Sequence, residues 1–218
     1  MGYRIGFDIG STTIKAVVLD ENNQICYKSY ERHKAQVRQK ALDKLVELKK
    51  YTKEPFKFAI SGSGALGLCE QGELPFVQEV FASATGVSKL YSETDCAIEL
   101  GGEDAKILFF QGSVEQRMNS TCAGGTGAFI DQMATLLKTD AKGLNEMAKN
   151  DQLIYPIASR CGVFAKTEIQ PLINDGAKRS DIAMSIFNAV VVQTVSVLSC
   201  GRKIEGKVAF LGGPLYFL

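Results

Sequence analysis

The sequence predicts an α/β protein made of two related halves, each with its own sheet and helices. The first half contains three β-rich runs, an amphipathic helix and a fourth strand, and the second half starts again with two strands. In each half a strand ends in a carboxylate, an apolar residue and a glycine, at Asp8-Ile9-Gly10 and at Glu99-Leu100-Gly101. This repetition indicates a duplicated domain. We therefore expect a first lobe over residues 1–92 and a second over residues 93–218.

The three runs of the first half are expected to form an antiparallel meander. They span residues 3–10, 12–20 and 24–32, and turn-forming residues separate them at Gly10-Ser11 and at Glu21-Asn22-Asn23. This arrangement puts small residues at the tip of the first hairpin.

A helix and a fourth strand complete the first half. Apolar residues recur at helical spacing among many lysines, which predicts one buried and one solvated face; they are Val37, Ala41, Leu45 and Leu48. Residues 56–61 predict a strand that leads into a glycine-rich loop, residues 62–67. The loop contains a literal G-x-G-x-x-G, but a dinucleotide site is disfavoured because a meander precedes it.

The second half is expected to contain two opening strands, three helices and a closing strand. The helices are predicted from apolar residues at helical spacing, and the closing strand meets the pair Gly212-Gly213. In chain order the predicted spans are 96–102, 106–111, 126–138, 163–173, 182–198 and 206–211.

Composition excludes several classes of protein and partner. The 218 residues carry 25 Lys and Arg against 24 Asp and Glu, so neither nucleic acid nor an anionic membrane is expected as a partner. Six cysteines are too sparse for a disulfide scaffold, and no leader precedes the first strand. No apolar run reaches the roughly 18 residues of a membrane span. We expect a cytoplasmic protein.

The first hairpin is a candidate phosphate site. Small residues at its tip let backbone N–H groups and hydroxyls approach a phosphate, and a nearby lysine neutralises charge. Asp8 can hold a water-clad Mg²⁺ instead of the phosphate itself. The alternative is a tight β-turn with a surface lysine. The candidate residues are Asp8, Gly10, Ser11, Thr12 and Lys15.

A second loop and a third glycine turn match the first hairpin. The second loop contains Glu99, Gly101, Gly102 and Asp104, and Gly212-Gly213 supplies the third turn. Three such turns fit a nucleotide held between two lobes. The Walker motif G-x-x-x-x-G-K-[ST] does not occur in the sequence.

Two of the cysteines lie where an anion is favoured. Cys122 and Cys161 each precede a predicted helix, and helix N-termini lower the pKa of a thiol. Two cysteines are too few for a metal centre that takes four ligands, unless two chains each supply two. The single histidine, His33, is expected to be exposed and without a role.

Five segments resemble the ATP-dependent activators of 2-hydroxyacyl-CoA dehydratases, a family that includes the ATPase subunits of benzoyl-CoA reductase. The sequence is most similar to the activase-like first domain of the long multidomain acyl-CoA dehydratase activases. The segments are DIGSTTIKAVVLD at 8–20, IELGGEDAKI at 98–107, NSTCAGGTGAFIDQMA at 119–134, ASRCGVFAKTEI at 158–169 and FLGG at 210–213.

The resemblance implies two ribonuclease-H-like lobes of the acetate kinase, sugar kinase, heat-shock chaperone and actin type, with ATP and Mg²⁺ as cofactors. Cys122 and Cys161, with the same pair from a second subunit, then match the ligands of one 4Fe–4S cluster in a homodimer. The implied partners are a 2-hydroxyacyl-CoA dehydratase or related acyl-CoA reductase component, and ferredoxin or flavodoxin as electron donor. The matched residues are Asp8, Glu99 and Asp104 as catalytic, and Gly10, Ser11, Thr12, Lys15, Gly101, Gly102, Gly212 and Gly213 as cofactor-binding.

The sequence also departs from the family pattern. Glu99 stands where Asp is usual, Glu103 where Gln is usual, and Ser83 where His is common. Family members continue past the last glycine turn, so the second lobe is expected to be truncated at its C-terminus. Two other functions remain open: a small-molecule kinase of the sugar-kinase type, and a nucleotide-switched scaffold without turnover.

Overall fold

The computed structural model forms two compact units, Met1–Gly86 and Val87–Leu218. Each unit contains one four-stranded sheet, and the strands follow the same order in both. The structure describes residues 2–53, 55–119, 124–158 and 161–218.

The sheet of the first unit confirms the predicted meander. Its strands are β1 (Tyr3–Ile9), β2 (Thr13–Leu19), β3 (Ile25–Arg32) and β4 (Phe56–Ser61). They lie in the order β3-β2-β1-β4, and β1 is antiparallel to β2 and parallel to β4. One residue in two along β1 and β2 is buried, because successive side chains alternate between the faces of a sheet. The buried residues are Ile5, Phe7, Ile9, Ile14, Ala16 and Val18.

Three helices complete the first unit: α1 (Val37–Leu48), α2 (Leu66–Gly72) and α3 (Glu79–Leu90), the last of which ends in the second unit. The prediction of α1 is confirmed, but its faces differ from those expected. Leu45 is 39% exposed, whereas Lys44 is only 3% exposed. The prediction that the lysines of α1 belong to its solvated face is therefore wrong for Lys44.

The second unit repeats the topology of the first. Its strands are β5 (Cys96–Leu100), β6 (Ala105–Phe109), β7 (Glu115–Met118) and β8 (Val208–Leu211), in the order β7-β6-β5-β8. Strand β5 is antiparallel to β6 and parallel to β8. Every residue of β6 is buried, so this strand is covered on both faces.

The helices of the second unit pack with its sheet into one hydrophobic core. They are α4 (Gly127–Leu136), α5 (Ala141–Ala148), α6 (Gly162–Asn174), α7 (Arg179–Gln193) and α8 (Gly213–Phe217), with a π-helical turn at Thr194–Leu198. Helices α4, α6 and α7 lie where the sequence predicts helices. Strand β7 and helices α2, α3, α5 and α8 were not predicted.

Among the described residues, the segment Arg179–Leu198 has the length and mean hydropathy, 1.6, of a membrane span. Over half of this window, 56%, is buried inside the protein. Its residues Ile182, Ala183 and Ile186 are fully buried in the core of the second unit. Its apolar character is therefore explained by core packing.

The outer edges of the two sheets differ. Beside β4, the Ile60 N–H donates to Pro75 O over 3.0 Å and the Val77 N–H donates to Ile60 O over 2.7 Å. In the described part of the second unit no strand pairs with the outer edge of β8, where Phe210 is 63% exposed. A groove of about 620 Å³ runs along this edge.

Candidate functional site

The first candidate site is the turn between β1 and β2, residues 10–13, which we call the first turn. The Gly10 N–H donates to Thr13 O over 2.9 Å and closes it. Ser11 at its tip is exposed, and Thr12 is partly exposed. The hydroxyl groups needed to approach a phosphate are thus accessible on a turn with a fixed backbone.

Asp8 and Lys15 face each other across the two strands that carry the first turn. They are register partners, and the Lys15 Nζ lies 2.5 Å from Asp8 Oδ2. The other carboxylate oxygen, Asp8 Oδ1, is buried without a hydrogen-bond partner among the described residues. A buried acceptor of this kind fits a water molecule or a hydrated cation.

Gly62 lies directly behind this carboxylate. Its φ is +96°, a region that favours glycine. A Cβ at this position would overlap Ile9 O and Asp8 Oδ1. The close approach of β4 to Asp8 therefore requires glycine here, which gives the glycine-rich loop a structural reason unrelated to dinucleotide binding.

The second candidate site is the turn between β5 and β6, residues 101–104, which we call the second turn. The Gly101 N–H donates to Asp104 O over 2.8 Å. Glu99 is the register partner of Lys106, as Asp8 is of Lys15. The side chain of Lys106 is 3% exposed, and its ammonium lies 3.2 Å from Asp104 Oδ2. The second turn thus repeats the cross-strand register of a carboxylate and a lysine, although the Lys106 ammonium lies beside Asp104.

Helix α4 begins against the second turn. The Gly127 N–H donates to Gly101 O over 2.9 Å, and the Ala128 N–H donates to Gly102 O over 2.7 Å. Two N–H groups at the start of α4 are therefore satisfied by the turn, not left for a ligand.

Gly212 has the same position in the second unit as Gly62 in the first. Its φ is +97°, and a Cβ there would overlap Leu100 O. It caps α8, which begins at Gly213. The third glycine turn therefore packs against the end of β5, next to the second turn.

Cys122 and Cys161 are the two cysteines predicted to hold a cluster. Cys122 lies outside the described residues. Cys161 is half-buried at the N-cap of α6, as the sequence predicts. By contrast, burial raises the pKa of the Cys69 and Cys96 thiols, which disfavours them as thiolate ligands. The described residues contain no group of three or more metal-binding side chains.

A family model described as the BadF/BadG/BcrA/BcrD ATPase family matches residues 5–215. The chain belongs to this family. A relative, the 2-hydroxyisocaproyl-CoA dehydratase activator of Clostridioides difficile, is 30% identical over 217 residues, which cover 97% of this chain and 80% of the relative.

Two solved structures resemble this BadF/BadG/BcrA/BcrD ATPase closely. Component A of the Acidaminococcus fermentans (R)-2-hydroxyglutaryl-CoA dehydratase aligns with a TM-score of 0.86 and 26% identity over 98% of this chain and 83% of that one. The activator of the 2-hydroxyisocaproyl-CoA dehydratase from Clostridium difficile, with bound ADPNP, aligns with a TM-score of 0.84 and 29% identity. The alignment covers 97% of this chain and 80% of that one. The predicted two-lobed ATPase fold is confirmed.

Two residues near the turns of this BadF/BadG/BcrA/BcrD ATPase were not predicted from its sequence. Lys106 could have been found, because it follows Glu99 at the same interval as Lys15 follows Asp8. His33 was expected to be exposed, and this is wrong: it is 4% exposed, and its Nε2 lies 3.1 Å from Gly10 O. The contact depends on the path of the chain after β3, which the sequence pattern does not specify.

Proposed function

We propose that this chain is an ATP-hydrolysing activator that drives an electron into a partner acyl-CoA dehydratase or reductase component. The observation that carries the proposal is the repeated turn, in which a carboxylate faces a lysine across the strands in both units. Membership of an ATPase family and the relatives named as dehydratase activators support it.

The first turn supplies groups suited to a nucleotide phosphate. Lys15 brings positive charge, and the Ser11 and Thr12 hydroxyls can donate hydrogen bonds. Asp8 Oδ1 can accept a hydrogen bond from water bound to Mg²⁺, since it has no other partner among the described residues. Glu99 and Asp104 complete the proposed set of acidic residues. The residues proposed to contact the nucleotide through their backbone are Gly10, Gly101, Gly102, Gly212 and Gly213.

The proposed electron-transfer step needs a redox group, and Cys161 is proposed as one of its ligands. Its place at the N-cap of a thirteen-residue helix suits a thiolate, because the N-terminus of a helix favours negative charge. Cys122 is proposed as the second ligand. With the same pair from a second copy, four thiolates would hold a 4Fe–4S cluster, which supplies one-electron transfer when bound.

Exposed apolar residues beside Cys161 support the proposed homodimer. Val163 and Phe164 are 65% and 64% exposed at the start of α6. An exposed aromatic side chain such as Phe164, close to a proposed cluster ligand, is typical of a residue that a protein interface buries.

Substitution of Asp8 tests the ATPase proposal. We expect the wild-type protein to hydrolyse ATP without a phosphoryl acceptor, and Asp8→Asn to lower kcat by about tenfold or more, because it removes a charge at the proposed Mg²⁺ site. Asp43→Asn, an exposed change on α1, is the matched control and should leave kcat unchanged. Phosphorylation of a sugar with no hydrolysis in its absence would contradict the proposal and favour a kinase.

A further inference from the structure

His33, the single histidine of the chain, holds the first turn from behind. It follows directly after β3 and is 4% exposed. Its ring Nε2 lies 3.1 Å from Gly10 O, and its backbone N–H donates to Thr12 O over 3.2 Å. One residue thus contacts two of the carbonyl groups of the first turn, one with its side chain and one with its backbone.

The contact fixes which ring nitrogen carries hydrogen. A carbonyl oxygen can only accept, so Nε2 must be the donor in the bond to Gly10. The other nitrogen, Nδ1, is buried and has no hydrogen-bond partner among the described residues. Among the described residues, the imidazole ring therefore hydrogen-bonds only to the first turn.

The bond to Gly10 sets the direction of the next N–H group. In a trans peptide the C=O of one residue and the N–H of the next point in opposite directions, and no cis peptide bond occurs in the described chain. Because Gly10 C=O points at His33, the Ser11 N–H points away from it. The bond from the His33 N–H to Thr12 O fixes the Thr13 N–H in the same way.

The two residues after His33 have an unfavourable backbone conformation, and this conformation holds His33 in place. Lys34 and Ala35 have φ values of +48° and +63°, which cost about 1 kcal/mol or more for residues with a side chain. The Gln36 N–H then donates to His33 O over 2.8 Å, just before α1 begins. Two consecutive strained residues persist only where the surrounding structure fixes them, and here they place the imidazole under the first turn.

We propose that His33 is a positioning residue for ATP: it holds the Gly10 carbonyl so that the Ser11 N–H is presented to a phosphate group. His33 itself does not touch the nucleotide. This inference rests on the proposed function, in which the first turn binds ATP.

The test compares three substitutions of His33 in the full chain, with ADPNP as the probe. Gln places a side-chain N–H near the position of Nε2, Asn has a donor too short to reach Gly10, and Leu has none. We expect the Kd for ADPNP, measured by titration calorimetry well below the Tm, to rise about tenfold in His33→Leu and His33→Asn, and His33→Gln to stay near wild type. If the Leu variant does not fold, the Asn and Gln pair decides.

A matched core variant separates positioning from general stability. Val18→Ala removes two buried methyl groups from β2 and should lower the Tm while leaving the Kd for ADPNP unchanged. Equal Kd values for wild type, His33→Asn and His33→Gln would overturn the inference alone, as would a rise in Kd in Val18→Ala as large as that in His33→Asn. Absence of ADPNP binding by the wild-type protein would instead overturn the proposed function, and this inference with it.

Discussion

Gly62 and Gly212 are the residues at which a single methyl group would disturb the candidate sites most directly. Both have φ close to +97°, and both lie against the carbonyl oxygen of the residue that follows a site carboxylate. Each therefore combines two requirements for glycine, a left-handed backbone and a close approach to another strand.

We expect Gly62→Ala to lower the free energy of unfolding by about 2 kcal/mol or more, since the new Cβ meets backbone that has to shift. Urea denaturation measures the change. The control is Gly67→Ala within α2, where a Cβ meets nothing within 4 Å and alanine favours the helix. The same loss in both variants would contradict the role given to Gly62.

At the residue scale, the sequence predicts the polar groups of the first turn because its strands are adjacent along the chain. A tight hairpin brings Asp8 and Lys15 opposite each other by local geometry alone. His33 contacts the same turn and Gly62 lies against Asp8 and Ile9 just before it, both from other elements, so their contacts depend on tertiary packing. Local contacts were predictable, and these long-range ones were not.

At the scale of elements, α1 is fixed to β3 by a buried ammonium group. The Lys44 Nζ lies 2.6 Å from Glu31 Oε1 and 2.9 Å from Glu47 Oε2. Burial alone would lower the pKa of Lys44, but its hydrogen bonds to the two carboxylates and to Tyr27 outweigh burial and raise it. Lys44 is the main cause that lowers the pKa of Glu31 and of Glu47.

We expect Lys44→Met to lower the free energy of unfolding at pH 7 by about 1–2 kcal/mol, because it leaves two carboxylates without their cation. Both carboxyl groups have a depressed pKa when folded, so their contribution is full above 4.5 and is lost as the pH falls through the folded values. Lys44 is charged throughout this range.

Chemical denaturation at several pH values checks this prediction. The difference between wild type and Lys44→Met should shrink below pH 4.5, the unperturbed value of the two carboxyl groups. Lys40→Met is the control, because Lys40 lies 3.6 Å from Glu31 and is 38% exposed. A constant difference down to pH 3 would show that Lys44 acts through packing alone.

The elements that the sequence does not predict are short or lack a strong apolar period. Strand β7 has only four residues and reads Glu-Gln-Arg-Met. Helix α5 begins at an N-cap, Asp140, whose carboxylate accepts from the Gly143 N–H over 2.7 Å. That capping residue was the available signal for α5. By contrast, the strand predicted over residues 56–61 has the bounds observed for β4, since two phenylalanines and Ile60 mark it clearly.

At the scale of the whole molecule, the duplication predicted from Asp8 and Glu99 extends to strand order, to the cross-strand lysines and to the capping glycines. It does not extend to the outer edges of the sheets. Ile60 on β4 is 2% exposed beneath the segment that pairs with it, whereas Phe210 on β8 is 63% exposed. The sequence repeat therefore predicts the strand order and turns that the two units share, but not what covers the outer edge of each sheet.

The proposed dimer makes a prediction about iron content. We expect protein prepared without oxygen to contain about four irons per dimer, and Cys161→Ala to lose them. Cys26→Ala, an exposed cysteine on β3, is the matched control and should keep its iron. Iron analysis and the ultraviolet-visible spectrum measure both, and a colourless wild-type protein under these conditions would contradict the cluster assignment.

The two hydrogen bonds between α4 and the second turn have a mechanical consequence. They tie the carbonyl groups of Gly101 and Gly102 to the first N–H groups of a ten-residue helix. If the turn shifts by more than a fraction of an ångström, it either breaks both bonds or pulls the helix with it. The second turn and the first residues of α4 therefore move as one mechanical unit.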